Sequence, residues 1–269
     1  MAAGARAHRC ATAPATGLRA CLQATRGSQT GSLGHHRRMP TSCSVDALLS
    51  DAPGLSGCTL LGHGANRMVL SDPADPGCCL KLELPAPART SGSLRTRLRR
   101  RLARLFPQLG ENAVELRAWH RLFTRLGADA LAGRIAASHG IIETPAGPAL
   151  RCELVRDADG RPAPSLYALL YETPRFTADA LCAAVDDFEA WLQWHAIPLF
   201  DLNAGNFVVI DGDGGPRMIC VDAKSTLSGK ELLPLSRQLP ALRRRKIARR
   251  AERLRKRIRT ALPTGASLR

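Results

Sequence analysis

The sequence predicts an α+β fold whose first half is built mainly of strands and whose second half is mainly helical. Short apolar runs separated by turn residues follow one another from Cys58 to Leu84. One segment in that half, residues 111–126, instead carries apolar residues at helical spacing. Beyond "RDADGRP" (residues 156–162), a stretch of turn chemistry, the pattern becomes helix, loop and hairpin.

Taken in order, "CTLLG" (58–62), "RMVL" (67–70) and "CCLKLEL" (78–84) read as three strands, with "DPADPG" as the turn before the third. An arginine-rich stretch follows and reads as partly helical. In "ENAVELRAWHRLFTRL" the apolar stripe runs through Trp119, Leu122, Phe123 and Leu126, with Glu115 at its head. Two more strands are expected over 134–143 and 149–155. Residues 178–195 present Leu181, Val185, Phe188, Trp191 and Leu192 on one helical face, continued by His195. "NFVVI" and "RMICVD" then form a hairpin around "DGDGG", and Asp222 closes the second arm.

Of 269 residues, 39 are Lys or Arg and 23 Asp or Glu, for a net charge of +16. The excess is uneven: residues 237–259 hold twelve basic side chains against the single acid Glu252, and 89–104 hold seven arginines and no acid. Such density suits an anionic partner, with the C-terminal basic helix as the candidate surface. Packing of that helix on the second lobe, arginines outward, is the competing reading. Nine cysteines without a C-x-x-C pair argue against a disulfide framework or a structural zinc site and fit a reducing, cytoplasmic setting. No run of 18 apolar residues is present to span a bilayer. Residues 1–45 lack any acid and read as a disordered basic extension, with Met39 as an alternative start. The expected lobes are 55–155 and 156–262.

Chemistry is concentrated in "LFDLNAGNFVVI". Asp201 and Asn206 stand five positions apart, and Asp222 follows sixteen residues after the amide, brought back by the hairpin. Phosphoryl transfer needs hard oxygen ligands for Mg²⁺ and a carboxylate aimed at the attacking hydroxyl, which this trio supplies. The first half offers the complement. "LGHGANRMV" places Gly62, Gly64 and Val69 as G-x-G-x-x-x-x-V, a turn whose backbone N–H groups can approach phosphates. Lys81 is the only lysine before Lys224, and Glu115 is the helical carboxylate placed to position it.

With these segments, and with "CELVRDADGRP", the chain resembles the protein-kinase-like fold, and within it the bacterial YrbL-type, PhoP regulatory network family. The resemblance covers about residues 55–260. It implies two lobes, an antiparallel-sheet N-lobe and a short, mainly helical C-lobe, with ATP and Mg²⁺ as cofactors. It implies that Gly62, Gly64 and Val69 line the nucleotide site, that Lys81 meets the α- and β-phosphates and pairs with Glu115, and that Glu153 to Val155 form the adenine hinge. Asp201 would be the catalytic carboxylate, with Asn206 and Asp222 as Mg²⁺ ligands.

The chain departs from the kinase pattern at several points. Arg67 stands where the third loop glycine belongs, Leu199-Phe200 where His-Arg precedes the catalytic Asp, and Asp222-Ala223-Lys224 where Asp-Phe-Gly belongs. No Ala-Pro-Glu follows. A small-molecule hydroxyl or an autophosphorylation site is therefore the expected acceptor, rather than a protein substrate. A regulatory pseudokinase and a basic adaptor for anionic polymers or surfaces remain the alternatives.

Overall fold

The structure, a computed structural model, describes residues 55, 57–64, 66–84, 106–227 and 239–262. The extension 1–45 and the stretch 89–104 fall outside them. From residue 56 onward the chain forms one compact unit.

Strands β1 (Leu60–His63), β2 (Arg67–Ser71) and β3 (Cys78–Glu83) follow the three apolar runs closely. They join β4 (Ser138–Thr144) and β5 (Gly147–Glu153) in an antiparallel sheet of order β1-β2-β3-β5-β4. β4 starts four residues later than expected, because residues 134–136 pair elsewhere. Helix α1 (Glu111–Leu126) lies between β3 and β4 in sequence and packs on β3, β4 and β5. Its buried face is Asn112, Val114, Glu115, Ala118 and Leu122. That face is rotated from the expected stripe, leaving Phe123 40% exposed.

A four-residue helix, α2 (Ala128–Leu131), leads into β4. The second lobe begins with α3 (Leu166–Tyr171), a helix not foreseen in the sequence. Ser165 caps it by accepting from the Ala168 N–H at 3.1 Å, and Leu166, Leu169 and Leu170 are buried. α4 (Ala178–Trp194) is capped in the same way by Thr177. β6 (Phe207–Gly212) and β7 (Gly215–Cys220) pair as a hairpin closed by Asp213-Gly214. The left-handed residue is Gly215 just after the turn, φ 106, a conformation that glycine adopts without strain. β7 ends two residues before Asp222, so that carboxylate sits on the loop beyond the strand.

The basic run folds as α5 (Pro240–Ala261), with Pro at its first turn, where a missing N–H costs nothing. Ile247, Ala251, Leu254 and Ile258 are buried in the same core as Leu181, Val185, Phe188 and Leu192 of α4. Arg255 fastens the two helices through Asp186 at 2.7 Å and Glu189 at 2.9 Å. Leu242, expected on the apolar face, is exposed, as are Arg244, Arg245, Arg249, Arg253 and Arg257. The helix is thus both a packed terminal element and a basic surface.

The two lobes are stitched by backbone. Ala136 N–H donates to the Cys220 carbonyl and Cys220 N–H to the Arg134 carbonyl, each at 2.9 Å, in a parallel bridge centred on Ile135 and Cys220.

Candidate functional site

Two strands, β2 through Arg67 and β3 through Lys81, converge on Glu115 of α1. Lys81, in the middle of β3 between Val69 of β2 and Leu150 of β5, points off the sheet toward α1. Its Nζ donates to Glu115 Oε1 at 2.6 Å and also to the Val221 carbonyl, the residue before Asp222. Sheet lysine, helix glutamate and second-lobe aspartate therefore share one site.

Arg67 completes it. At the head of β2, its guanidinium turns inward and bonds Glu115 Oε2 through Nη1 and Asp222 Oδ2 through Nη2, the latter at 2.8 Å. Lys224 Nζ reaches the same Asp222 oxygen at 2.8 Å and Glu111 Oε2 at 3.0 Å, and its N–H donates to Asp222 Oδ1 at 3.2 Å. Three cations, Arg67, Lys81 and Lys224, thus face three acids, Glu111, Glu115 and Asp222. Asn112 braces the group by donating to the Lys81 carbonyl at 2.9 Å, and Glu83 caps α1 by accepting from the Glu111 N–H at 2.8 Å.

Burial would normally neutralise these side chains. Burial pushes the Asp222 pKa up, but Arg67 foremost, then Lys224 and Lys81, hold it down at about 2. Burial likewise opposes charge on Lys81, yet Cys152 and Glu115 keep its pKa above the usual lysine value. For Glu111, burial is outweighed by Lys224 and Arg67, and the pKa is lowered. The network is charged and internally balanced.

The glycine turn lies beside it. Gly64 N–H donates to the Arg67 carbonyl at 2.8 Å, and Asn66 ties the turn to α1 by bonding Glu111 Oε1 at 3.0 Å. A methyl group added at Gly62 would meet nothing within 4 Å, so the strand faces open space there. Val69 packs at the edge of a cluster formed by Cys79, Leu150 and Cys152.

On the second lobe, Asp201 follows the buried Leu199-Phe200 pair and is held on three sides. Its N–H donates to Ser225 Oγ at 3.2 Å, its carbonyl accepts from Asn206 Nδ2 at 3.0 Å, and its Oδ1 accepts from Asn203 Nδ2. Asn206 is in turn fixed to the loop bearing Asp222, because its carbonyl accepts from the Val221 N–H at 2.9 Å. Asp201, Asn206 and Asp222 therefore sit on adjoining backbone.

The expected hinge is more occupied. Glu153 N–H donates to the Ala137 carbonyl and Leu154 N–H to the Gly77 carbonyl, while the Val155 carbonyl accepts from Ala163 N–H. The Glu153 carboxylate accepts from Ala137 N–H at 2.9 Å. These groups already serve the fold. The "RDADGRP" turn supplies Ala163, folding back so that Arg156 pairs with Pro162.

A family model described as PhoP regulatory network protein YrbL matches residues 54–259. The chain belongs to the YrbL family. No curated protein matches it. Among solved structures, the PknI kinase domain of Mycobacterium tuberculosis is 19% identical to this YrbL-family chain over 63% of it and 60% of that domain, with a TM-score of 0.34. A double mutant of that domain gives 18% identity, 67% and 63% coverage and a TM-score of 0.37. The chain spans about three fifths of the length of the kinase domains it matches. The α+β organisation stands on the order of its own elements: five-stranded antiparallel sheet with an inserted helix, then helices around a hairpin.

Within this YrbL-family site, a divalent cation does not fit the side chains as they stand. Both Asp222 oxygens are engaged, Oδ2 by Arg67 and Lys224 and Oδ1 by the Lys224 N–H. The expectation that Asn206 and Asp222 hold Mg²⁺ meets this obstacle. Sequence reasoning noticed Arg67 only as a missing glycine and Lys224 only as a missing hinge. The sequence shows only that both are basic residues at positions where the kinase pattern puts glycine, not which acid they meet.

Proposed function

We propose that the chain is a kinase-like phosphotransferase that binds ATP between its sheet and helical lobes and passes the γ-phosphoryl group to a hydroxyl acceptor. The observation that carries this reading is the meeting of Lys81, Glu115 and the Val221–Asp222 segment at one point between the lobes. Phosphates would lie under Gly62, which faces open space, and Gly64, whose N–H meets the Arg67 carbonyl, and Lys81 and Arg67 would donate to them. Asp201, braced by Ser225, Asn206 and Asn203, would accept the hydroxyl hydrogen as the acceptor oxygen bonds to γ-phosphorus and ADP leaves.

Thermal unfolding with ATP tests binding, because a ligand of the native state alone raises the midpoint, by an amount that grows with the logarithm of its concentration above Kd. A midpoint unmoved by millimolar ATP rules the reading out. Asp201→Asn then tests chemistry: transfer should fall by about a hundredfold or more while ATP affinity stays within about twofold of wild type.

A second reading, a regulatory pseudokinase that binds nucleotide without turnover, is favoured by the capture of Asp222 by Arg67 and Lys224. ATP binding without transfer to any hydroxyl or to the chain itself would select it. The exposed arginines of α5 support anionic contact as an accompanying property.

A further inference from the structure

We infer that Arg67 and Lys224 take the place of a divalent cation in this cleft, so that it accepts a nucleoside triphosphate free of metal. The inference rests on the nucleotide reading above and deepens it.

A metal ion at Asp222 would supply two positive charges to a carboxylate and to the phosphates beside it. Here the chain has already brought two unit charges to the single oxygen Oδ2, Arg67 Nη2 and Lys224 Nζ, each at 2.8 Å. Neither cation depends on Asp222 for its position. Arg67 is also held by Glu115 and lies 3.4 Å from Asn112 Oδ1, and Lys224 is also held by Glu111 at 3.0 Å. A divalent ion entering here must displace both from the oxygen and then lie next to two positive groups that remain fastened to α1. Repulsion at such short range, in a site screened from water, opposes that arrangement.

Phosphate meets no such obstacle. Arg67 begins the strand that leaves the glycine turn, and its carbonyl accepts the Gly64 N–H. A triphosphate below that turn therefore arrives at the guanidinium, whose planar fork pairs with phosphate oxygens, and at the lysine beyond it. Phosphate oxygens replace Asp222 as acceptors for both.

ATP titrations by calorimetry, in excess EDTA and in excess Mg²⁺, test this on the full-length chain. Wild type should bind ATP in EDTA within about twofold of its affinity in Mg²⁺. Arg67→Gln should lose about tenfold or more in EDTA, the loss of a charge-assisted phosphate contact, and recover part of it in Mg²⁺ as Asp222 Oδ2 is released. Should Arg67→Gln not fold, Lys224→Gln, which keeps the guanidinium, should show the same pattern more weakly. Wild-type binding that strengthens about tenfold or more with Mg²⁺ overturns the inference and leaves the nucleotide reading intact. Binding in neither condition overturns both.

Discussion

Arg67 and Asp222 are 155 positions apart in sequence, yet their side chains meet at 2.8 Å, joining the strand after the glycine turn to the loop after the last hairpin. The bond is one edge of a six-member charge network whose centre, Arg67, Lys81, Glu115 and Asp222, is buried, and breaking such a network from one side is costly. The charges that faced the lost group then keep fewer partners where water is scarce.

The first consequence concerns acid. Asp222 is held at about 2 in the fold, against about 3.9 for a free aspartate. A depressed carboxylate contributes stability that is complete above its unfolded pKa and is lost as pH falls through the folded one. About 2 kcal/mol should therefore disappear between about pH 4 and pH 2. Urea midpoints measured across that range should decline less steeply in Asp222→Asn than in wild type; parallel declines would contradict the assigned charge state.

Glu115 is the hub, since Lys81 and Arg67 both bond to it and it is only 3% exposed. Glu115→Ala should cost about 3–5 kcal/mol by stranding two buried cations. Equilibrium urea unfolding gives the figure, and a loss under about 1 kcal/mol would mean that water reaches the pair.

Gly62 separates stability from binding. Its φ is ordinary and a β-carbon there would touch nothing, so Gly62→Ala should alter stability by less than about 0.5 kcal/mol. Added bulk at a wall facing phosphates should still weaken ATP binding severalfold. Unchanged affinity would move the phosphates away from this turn.

Two substitutions on α5 distinguish its faces. Leu254→Ala removes a fully packed side chain from the core shared with α4 and should cost about 2–5 kcal/mol. Arg249→Ala, on the exposed side, should stay within about 0.5 kcal/mol of wild type. Thermal or urea midpoints of the pair read this directly.

Much of this fold is legible in residue order. The strands around Lys81 alternate with turn residues, and the helix bearing Glu115 begins and ends where its periodicity does, at Glu111 and Leu126. Local pattern speaks plainly there because each element's own residues decide it. The short helix at 166–171 was hidden because six residues barely complete its turns, although its serine cap and the spacing of Leu166, Leu169 and Leu170 were visible. For the site, the convergence of Lys81, Glu115 and Asp222 could be anticipated from their order along the chain. The partnership of Arg67 and Lys224 with Asp222 could not, because spacing carries no record of which side chain fills a position left by a smaller one. The engagement of Leu154 and Val155 was equally hidden, since their partners Gly77 and Ala163 are set by tertiary pairing.

The Ile135–Cys220 bridge has a mechanical implication. Two main-chain bonds tie the lobes at a point whose backbone belongs to both, so any yawning of the cleft must swing about that fulcrum. The aspartate loop starts two residues from that joint, whereas the strand leaving the glycine turn is tied to it through a side chain, Arg67 to Asp222. A guest that displaces that side chain would part the lobes there while their main-chain seam holds.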